Sequence, residues 1–325
     1  MAIKKSSELD FSNKKIAMLL IGRAGIGKTS VALSAPRPLL LDLENGVDRV
    51  EACYRSDTST VDPSLPDDKK YEEFIKDLTT EDLSNYDTII IDTLGKLVDL
   101  LTPVVIKENH ANAQKDGKTL SLKGYGAVSA KISEFIKLVK GLNKNVVFIS
   151  HCTEVQDGET VKVRVNIPGS TKDKIWDDID LGGYMEFLGK KRVIHFTPSE
   201  KFDAKGTHGI TGTYDIPTLK STREGGQTKD NHFLTDLFKV VADDLQSSKQ
   251  TYDENKVIYD KAMEIAPKIK NCQGVDALNL YVQELKMTKH ALTSREELLS
   301  LVSSKASELG ATYDKEAKCY IKNTD

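Results

Sequence analysis

The sequence contains no apolar run approaching 18 residues, and this excludes a membrane-spanning helix. Its opening stretch, MAIKKSSELDFSNKK, lacks an apolar core, so no secretory signal is expected. A cytoplasmic protein is the expectation. Cysteine is scarce. Cys53, Cys152, Cys272 and Cys319 are far apart and form no CxxC pair. That spacing argues against a zinc site or a disulfide framework and fits thiols in a reducing compartment. Neither sign of charge dominates, since 46 Lys and Arg against 49 Asp and Glu leave a net charge of −3. The balance gives no general support to nucleic-acid binding, although a local basic groove can hold phosphates on a mildly acidic protein. No run of aromatic residues marks a base-stacking surface. What is present is 325 residues of ordinary globular composition, enough for one sizeable α/β domain and a smaller unit.

Short, wholly apolar runs recur between helical patterns. Ile16–Ile21, Leu39–Leu43, Thr88–Asp92 and Asn145–Ser150 read as buried parallel strands. Helices are expected from Thr29–Ser34, around Tyr71–Leu78, over Leu94–Val105, over Tyr125–Leu142 and over His232–Leu245. Alternation over 153–167 around Asp157-Gly158 predicts a β-hairpin, and Tyr184–Leu188 and Arg192–Thr197 suggest two more strands. Residues 55–70 and 220–231 read as loops, 107–124 as a mobile loop, and Ser247–Glu254 as a polar linker. The expected organisation is a flexible arm over 1–14, a core over 15–246 and a mainly helical unit over 255–325, with a boundary near 250 and at most one strand, at Cys319–Ile321. Alternating strands and helices argue for a mostly parallel sheet with helices on both faces, which binds ligands beyond the carboxyl ends of its strands.

At the end of the first strand stands Gly22-Arg23-Ala24-Gly25-Ile26-Gly27-Lys28-Thr29, a match to G-x-x-x-x-G-K-[ST] between a strand and a helix. Gly22, Gly25 and Gly27 let the backbone wrap a phosphate with its N–H groups, and Ser30 extends the cradle into the helix. Lys28 is placed to reach the β- and γ-phosphates of a nucleotide, and the Thr29 hydroxyl to ligate Mg²⁺. Asp92, at the tip of Thr88–Asp92, is a second candidate for holding Mg²⁺, with Thr93 beside it. After Leu39–Leu43, Asp42 and Glu44 lie two apart, on one side if the chain stays extended. Glu44 is further out and better placed to activate water. His151 ends Asn145–Ser150, where a polar side chain either contacts the γ-phosphate or serves only the fold.

In this order, GRAGIGKT, LLLDLENGVDR, TIIIDTLGKL and NVVFISH resemble the successive motifs of the RecA-type recombinase core over roughly residues 14–240. SAPRPLLLDLENG and GYGAVSAKISEFIKLVKGL before NVVFISH resemble a narrower group, the phage-encoded RecA-like ATPases that anneal single-stranded DNA. The resemblance implies a RecA-like P-loop NTPase core, with a mostly parallel sheet flanked by helices and a small helical C-terminal unit. It implies ATP and Mg²⁺ as cofactors, with Glu44 as the catalytic glutamate, Asp92 as the metal carboxylate and His151 at a sensor position usually occupied by Gln. It also implies single-stranded DNA as partner, self-assembly into a filament or ring, and a single-strand-binding protein as a further partner. The loop after the sensor strand faces DNA in that family. Here Lys162 and Arg164 share a hairpin face suited to backbone phosphates, or equally to solvent. The lysine-bearing loop 107–124 is a second candidate. Lys201 and Lys205 loosely resemble lysines that reach a neighbouring subunit's ATP.

Two other functions remain open at this stage. One is a nucleotide-switched assembly ATPase without DNA specificity. The other is a P-loop small-molecule kinase, against which the scarcity of arginine for a phosphate-covering lid speaks. The last 75 or so residues match no family, and read either as a DNA- or partner-binding unit or as a packing appendage.

Overall fold

The computed structural model describes residues 11, 13–49, 56–167, 171–217 and 232–323. Cys53, the loop 220–231 and most of the arm 1–14 therefore lie outside the described residues. The chain divides after Asp244, giving one unit over Phe11–Asp244 and another over Leu245–Asp325.

The larger unit begins with β1 (Ala17–Gly22), α1 (Lys28–Ala32), β2 (Pro38–Asp42), β3 (Asp57–Thr60), α2 (Asp67–Thr80), β4 (Thr88–Asp92) and α3 (Leu94–Glu108). It continues with α4 (Leu122–Gly141), β5 (Asn145–Asp157), β6 (Thr160–Val165), α5 (Thr171–Asp178), β7 (Leu181–Leu188), β8 (Lys191–His195) and β9 (Thr213–Asp215). The sheet runs in the order β3-β2-β4-β5-β1-β7-β8-β9, with β6 paired to the outer part of β5. From β3 to β7 all neighbours are parallel, while β8 and β9 add antiparallel strands at one edge.

Burial on both faces explains the continuous apolar runs. Leu19, Ile21, Ile89, Ile91 and Phe148 share one core with Phe74, Leu97, Leu101, Ile132 and Phe135 of α2, α3 and α4. The alternate residues Met18, Leu20, Leu40, Ile90 and Val147 are fully buried on the other face. Two side chains fix where β1 starts. The Ile16 N–H donates to Asn145 Oδ1 at 2.9 Å and the Ala17 N–H to Asp180 Oδ2 at 2.8 Å. The strand bearing the glycine-rich loop is thus central, and β5 separates it from β4, which bears Asp92. This is a mostly parallel sheet flanked by helices, with the glycine-rich loop at its centre.

The position of β7 depends on a missing side chain. A Cβ at Gly182 would lie 2.1 Å from Cζ3 of Trp176 in α5. Gly182→Ala therefore forces α5 away from the strand flanking β1, at an expected cost of about 1–3 kcal/mol. Trp176 is the single tryptophan of the chain. A urea titration followed by its emission should show a lower midpoint, and an unchanged midpoint would refute this account of α5 packing.

Several expectations need correction. The stretch read as a loop over 55–70 contains edge strand β3, whose polar DTST sequence lacks the apolar pattern of its neighbours because it is paired on one side only. The mobile loop over 107–124 is instead compact. Buried Asn112 donates its Nδ2–H to the Val105 carbonyl at 2.7 Å, and the Ser121 N–H returns to the Asn112 carbonyl at 2.8 Å. Ser121 then caps α4, which starts at Leu122 and not Tyr125. The polar linker over 247–254 is helix, because α6 runs unbroken over Phe233–Met263. The stretch holds no Gly or Pro, and Lys249–Asp253 and Gln250–Glu254 pair one turn apart. The 153–167 hairpin is present, but its first arm is a continuation of the sensor strand: β5 spans 145–157 without interruption. Lys205 donates to the carbonyls of Trp176 and Ile179 at 2.9 and 2.6 Å, so it closes the end of α5 and does not reach outward.

The smaller unit holds the end of α6, α7 (Ala266–Asn271), α8 (Val275–Met287), α9 (Ser294–Glu308) and a hairpin of β10 (Ala311–Asp314) and β11 (Cys319–Lys322). Ile265, Ile269, Leu278, Val282, Leu298 and Val302 form its core. Asn279 of α8 holds the hairpin by exchanging two hydrogen bonds with the Tyr320 backbone, both 2.8 Å. Among the described residues no helix is long and apolar enough to cross a membrane.

Candidate functional site

The turn from β1 into α1 has two glycines in the left-handed region, Gly25 at φ 74° and Gly27 at φ 91°. Side chains rarely tolerate that conformation. Such a turn directs successive backbone N–H groups into one concavity, which suits an anion. Lys28 folds back across it, and its Nζ donates to the carbonyls of Gly22 and Arg23, both at 3.0 Å. Burial pushes the Lys28 ammonium below its ordinary value, with the Asp92 charge as the main opposing influence. Ser30 sits half-buried in the first turn of α1.

Thr29 donates its hydroxyl hydrogen to Asp92 Oδ2 at 2.6 Å. Burial raises the Asp92 carboxyl above the usual range, against the Thr29 hydrogen bond and the Lys28 charge, while Glu44 and Asp42 push it further up. A hydroxyl and a carboxylate side by side fit Mg²⁺, a hard cation that takes its other oxygens from phosphate and water. A polyphosphate with its cation favours the charged forms of both Lys28 and Asp92.

The Asp42 and Glu44 side chains part company, because β2 ends at Asp42 and a turn begins. Asp42 is buried and accepts the N–H groups of Glu44, Gly46 and Val47 at 3.2, 2.7 and 2.7 Å. It therefore shapes the turn. Glu44 is left to face the site, where its Oε1 accepts the Thr93 hydroxyl at 2.9 Å and lies 3.3 Å from His151 Nε2. His151 Nδ1 is in turn 3.4 Å from Lys28 Nζ. An ammonium only donates and a carboxylate only accepts, so the two contacts together fit a neutral imidazole protonated on Nε2. Lys28, His151, Glu44 and Thr93 thus form one chain of polar contacts past the ends of β1, β2 and β4 and beside the middle of β5.

The hairpin residues stand differently. Lys162 pairs with Asp203 at 2.8 Å and is only partly exposed. Arg164 lies across from Thr153 on the same hairpin. Nearer the site, Arg23 of the glycine-rich loop pairs with Glu154 on the outer part of β5. A cleft of about 500 Å³ opens beside Glu44, Thr93 and His151 and is bordered further out by Lys118, Tyr125 and Asn166. Sequence reasoning missed the turn-forming role of Asp42, the Arg23–Glu154 link and the exposed Tyr125. The Arg23–Glu154 link depends on two strands meeting in the sheet, the Asp42 turn on where β2 stops, and the exposure of Tyr125 on how α4 packs, none of which spacing along the chain shows.

A family model described as an AAA domain matches residues 14–208, more than half of the chain. The chain belongs to this AAA domain family. It carries an AAA-type ATPase domain, and the matched span includes every residue of the site just described. A search of curated proteins finds no match. Among solved structures, the chain is similar to the flagellar accessory protein FlaH from Methanocaldococcus jannaschii, at 12% identity and a TM-score of 0.35, over 63% of this chain and 85% of that one. It is also similar to the KaiC-like protein PH0186 from Pyrococcus horikoshii OT3, at 11% identity and a TM-score of 0.33, over 62% and 90%. A third is a solved ATPase domain, at 14% and 0.37, over 64% and 82%.

Proposed function

We propose that this AAA-family protein hydrolyses ATP with Mg²⁺ and couples hydrolysis to single-stranded DNA, as a self-assembling RecA-like ATPase of phage recombination or annealing. The glycine-rich loop with Lys28 holds the phosphates, and Thr29 and Asp92 hold Mg²⁺, which when bound neutralises charge on the phosphate oxygens. Glu44, oriented by Thr93 and His151, takes the proton from the attacking water. His151 touches both Lys28 and Glu44, so a γ-phosphate competing for Lys28 changes what His151 holds.

The observation that carries the DNA part is the cleft beside Glu44. Its outer border combines the cation Lys118 with the exposed ring of Tyr125 and the amide of Asn166. Those groups suit a phosphate backbone and a stacked base next to the hydrolytic carboxylate. The engagement of Lys162 by Asp203 moves the favoured DNA contact from the hairpin face to this cleft. Steady-state phosphate release should rise about tenfold or more on adding single-stranded oligonucleotide, the expected direction if a bound strand orders the cleft around Glu44. Turnover that ignores the oligonucleotide, with no binding at low salt in the presence of an ATP analogue, would instead support a nucleotide-switched assembly ATPase.

A further inference from the structure

We infer that Arg192 is a second phosphate-binding cation of the nucleotide site, directed at the part of the polyphosphate that is not transferred; this rests on the ATP-site reading above. Arg192 lies on β8 opposite Phe187 of β7. Its guanidinium carbon stands 5.5 Å from the centre of the half-exposed Phe187 ring. On its other side is the glycine-rich loop. A Cβ at Gly27 would lie 3.1 Å from Arg192 Cζ and 3.3 Å from Nη1. A permanent cation is thus laid against the residue immediately before Lys28, in room that only glycine leaves.

The acids nearest along its strands are engaged elsewhere. Asp215 pairs with Lys191 at 2.6 Å, and Glu186 with His195 at 3.0 Å. Among the described residues no carboxylate pairs with Arg192, and its buried Nε has no hydrogen-bond partner. Packing on Phe187 and Gly27 explains the flat shape of the side chain but not its charge or its unused donors. An anion in the adjoining cradle explains both.

The sheet order determines which phosphates are meant. His151, Asp92 and Glu44 come from β5, β4 and the end of β2, all on one side of β1, while β7 and β8 lie on the other. Arg192 therefore approaches the loop from the side away from the hydrolytic groups. It belongs with the α- and β-phosphates, which ADP shares with ATP. The expected signature is weaker binding of both nucleotides by a common factor.

The test measures affinity for a ribose-labelled fluorescent ADP with Mg²⁺, and its displacement by unlabelled ADP, ATP and inorganic pyrophosphate. It uses full-length wild type, Arg192→Gln and Arg192→Lys. The Gln variant should bind ADP, ATP and pyrophosphate about tenfold or more weakly, by a common factor, as loss of a charge-assisted contact predicts. Its log K should depend less steeply on log salt, and Lys should recover part of the affinity. Should Gln lower the melting temperature, the Lys variant and the salt slope keep the contact testable, since packing alone moves neither. Unchanged ADP affinity in both variants overturns the inference while leaving the ATP site in place. Weaker ADP binding with unchanged pyrophosphate binding overturns it too, by assigning Arg192 to the base or ribose. Absence of nucleotide binding by the wild type refutes the ATP-site reading itself.

Discussion

Replacing Lys28 by alanine should reduce ATP turnover to below about one-thousandth of wild type, the scale for losing a key charge-stabilising group. The fold should survive. Lys28 is buried at 6% exposure, yet burial pushes its pKa down, so the folded protein already disfavours its charge. Removing the ammonium relieves that penalty, and the carbonyls of Gly22 and Arg23 lose one donor each. The two effects oppose one another, and a melting temperature within a few degrees of wild type is expected. Phosphate release at wild-type rate by a purified, folded variant would refute the assignment of this loop to ATP.

Glu44→Gln separates binding from chemistry. Glutamine keeps the length of the side chain and can still accept from the Thr93 hydroxyl. It no longer offers a carboxylate to the water, so turnover should fall by about 10²-fold or more, which corresponds to about 2.7 kcal/mol in the barrier. Affinity for ATP with Mg²⁺ should change little, because Thr29 and Asp92 are untouched. Single-turnover rates alongside equilibrium binding distinguish the two quantities. If the variant hydrolyses ATP normally, Glu44 serves only its turn, and the base must be sought among the other groups around Thr93. The contrast with Asp42 sharpens the test. Asp42 holds three backbone N–H groups, so its loss should act on stability before chemistry.

The site was legible wherever one stretch of chain builds its own chemistry. The glycine-rich loop, the apolar strands and the carboxylate at the end of β4 are local patterns, and their spacing carried through to a parallel sheet. Asp42 and Glu44 differ for a reason that spacing hides: the strand stops at Asp42, and the fate of each carboxylate then depends on which turn N–H groups it meets. Edge strand β3 escaped because it is polar. The helix through 247–254 escaped because a charged stretch without Gly or Pro reads as a linker until its one-turn pairs are seen. Arg192 was visible only as the first residue of the strand read over Arg192–Thr197. Nothing along the chain places it against Gly27, since that contact needs β8 folded back on β7.

The uninterrupted course of β5 has a thermodynamic consequence. From His151 to Asp157 the strand extends roughly 20 Å at about 3.3 Å per residue. No loop lies between the imidazole that touches Glu44 and the arm that holds Glu154. A continuous strand absorbs less displacement than a loop would, which makes the two ends candidates for coupling. Under linkage, a nucleotide that shifts the arm by some free energy is itself held more or less tightly, by the same amount, whenever a partner fixes the arm. In that case the hairpin would be as much an input to the nucleotide site as an output from it.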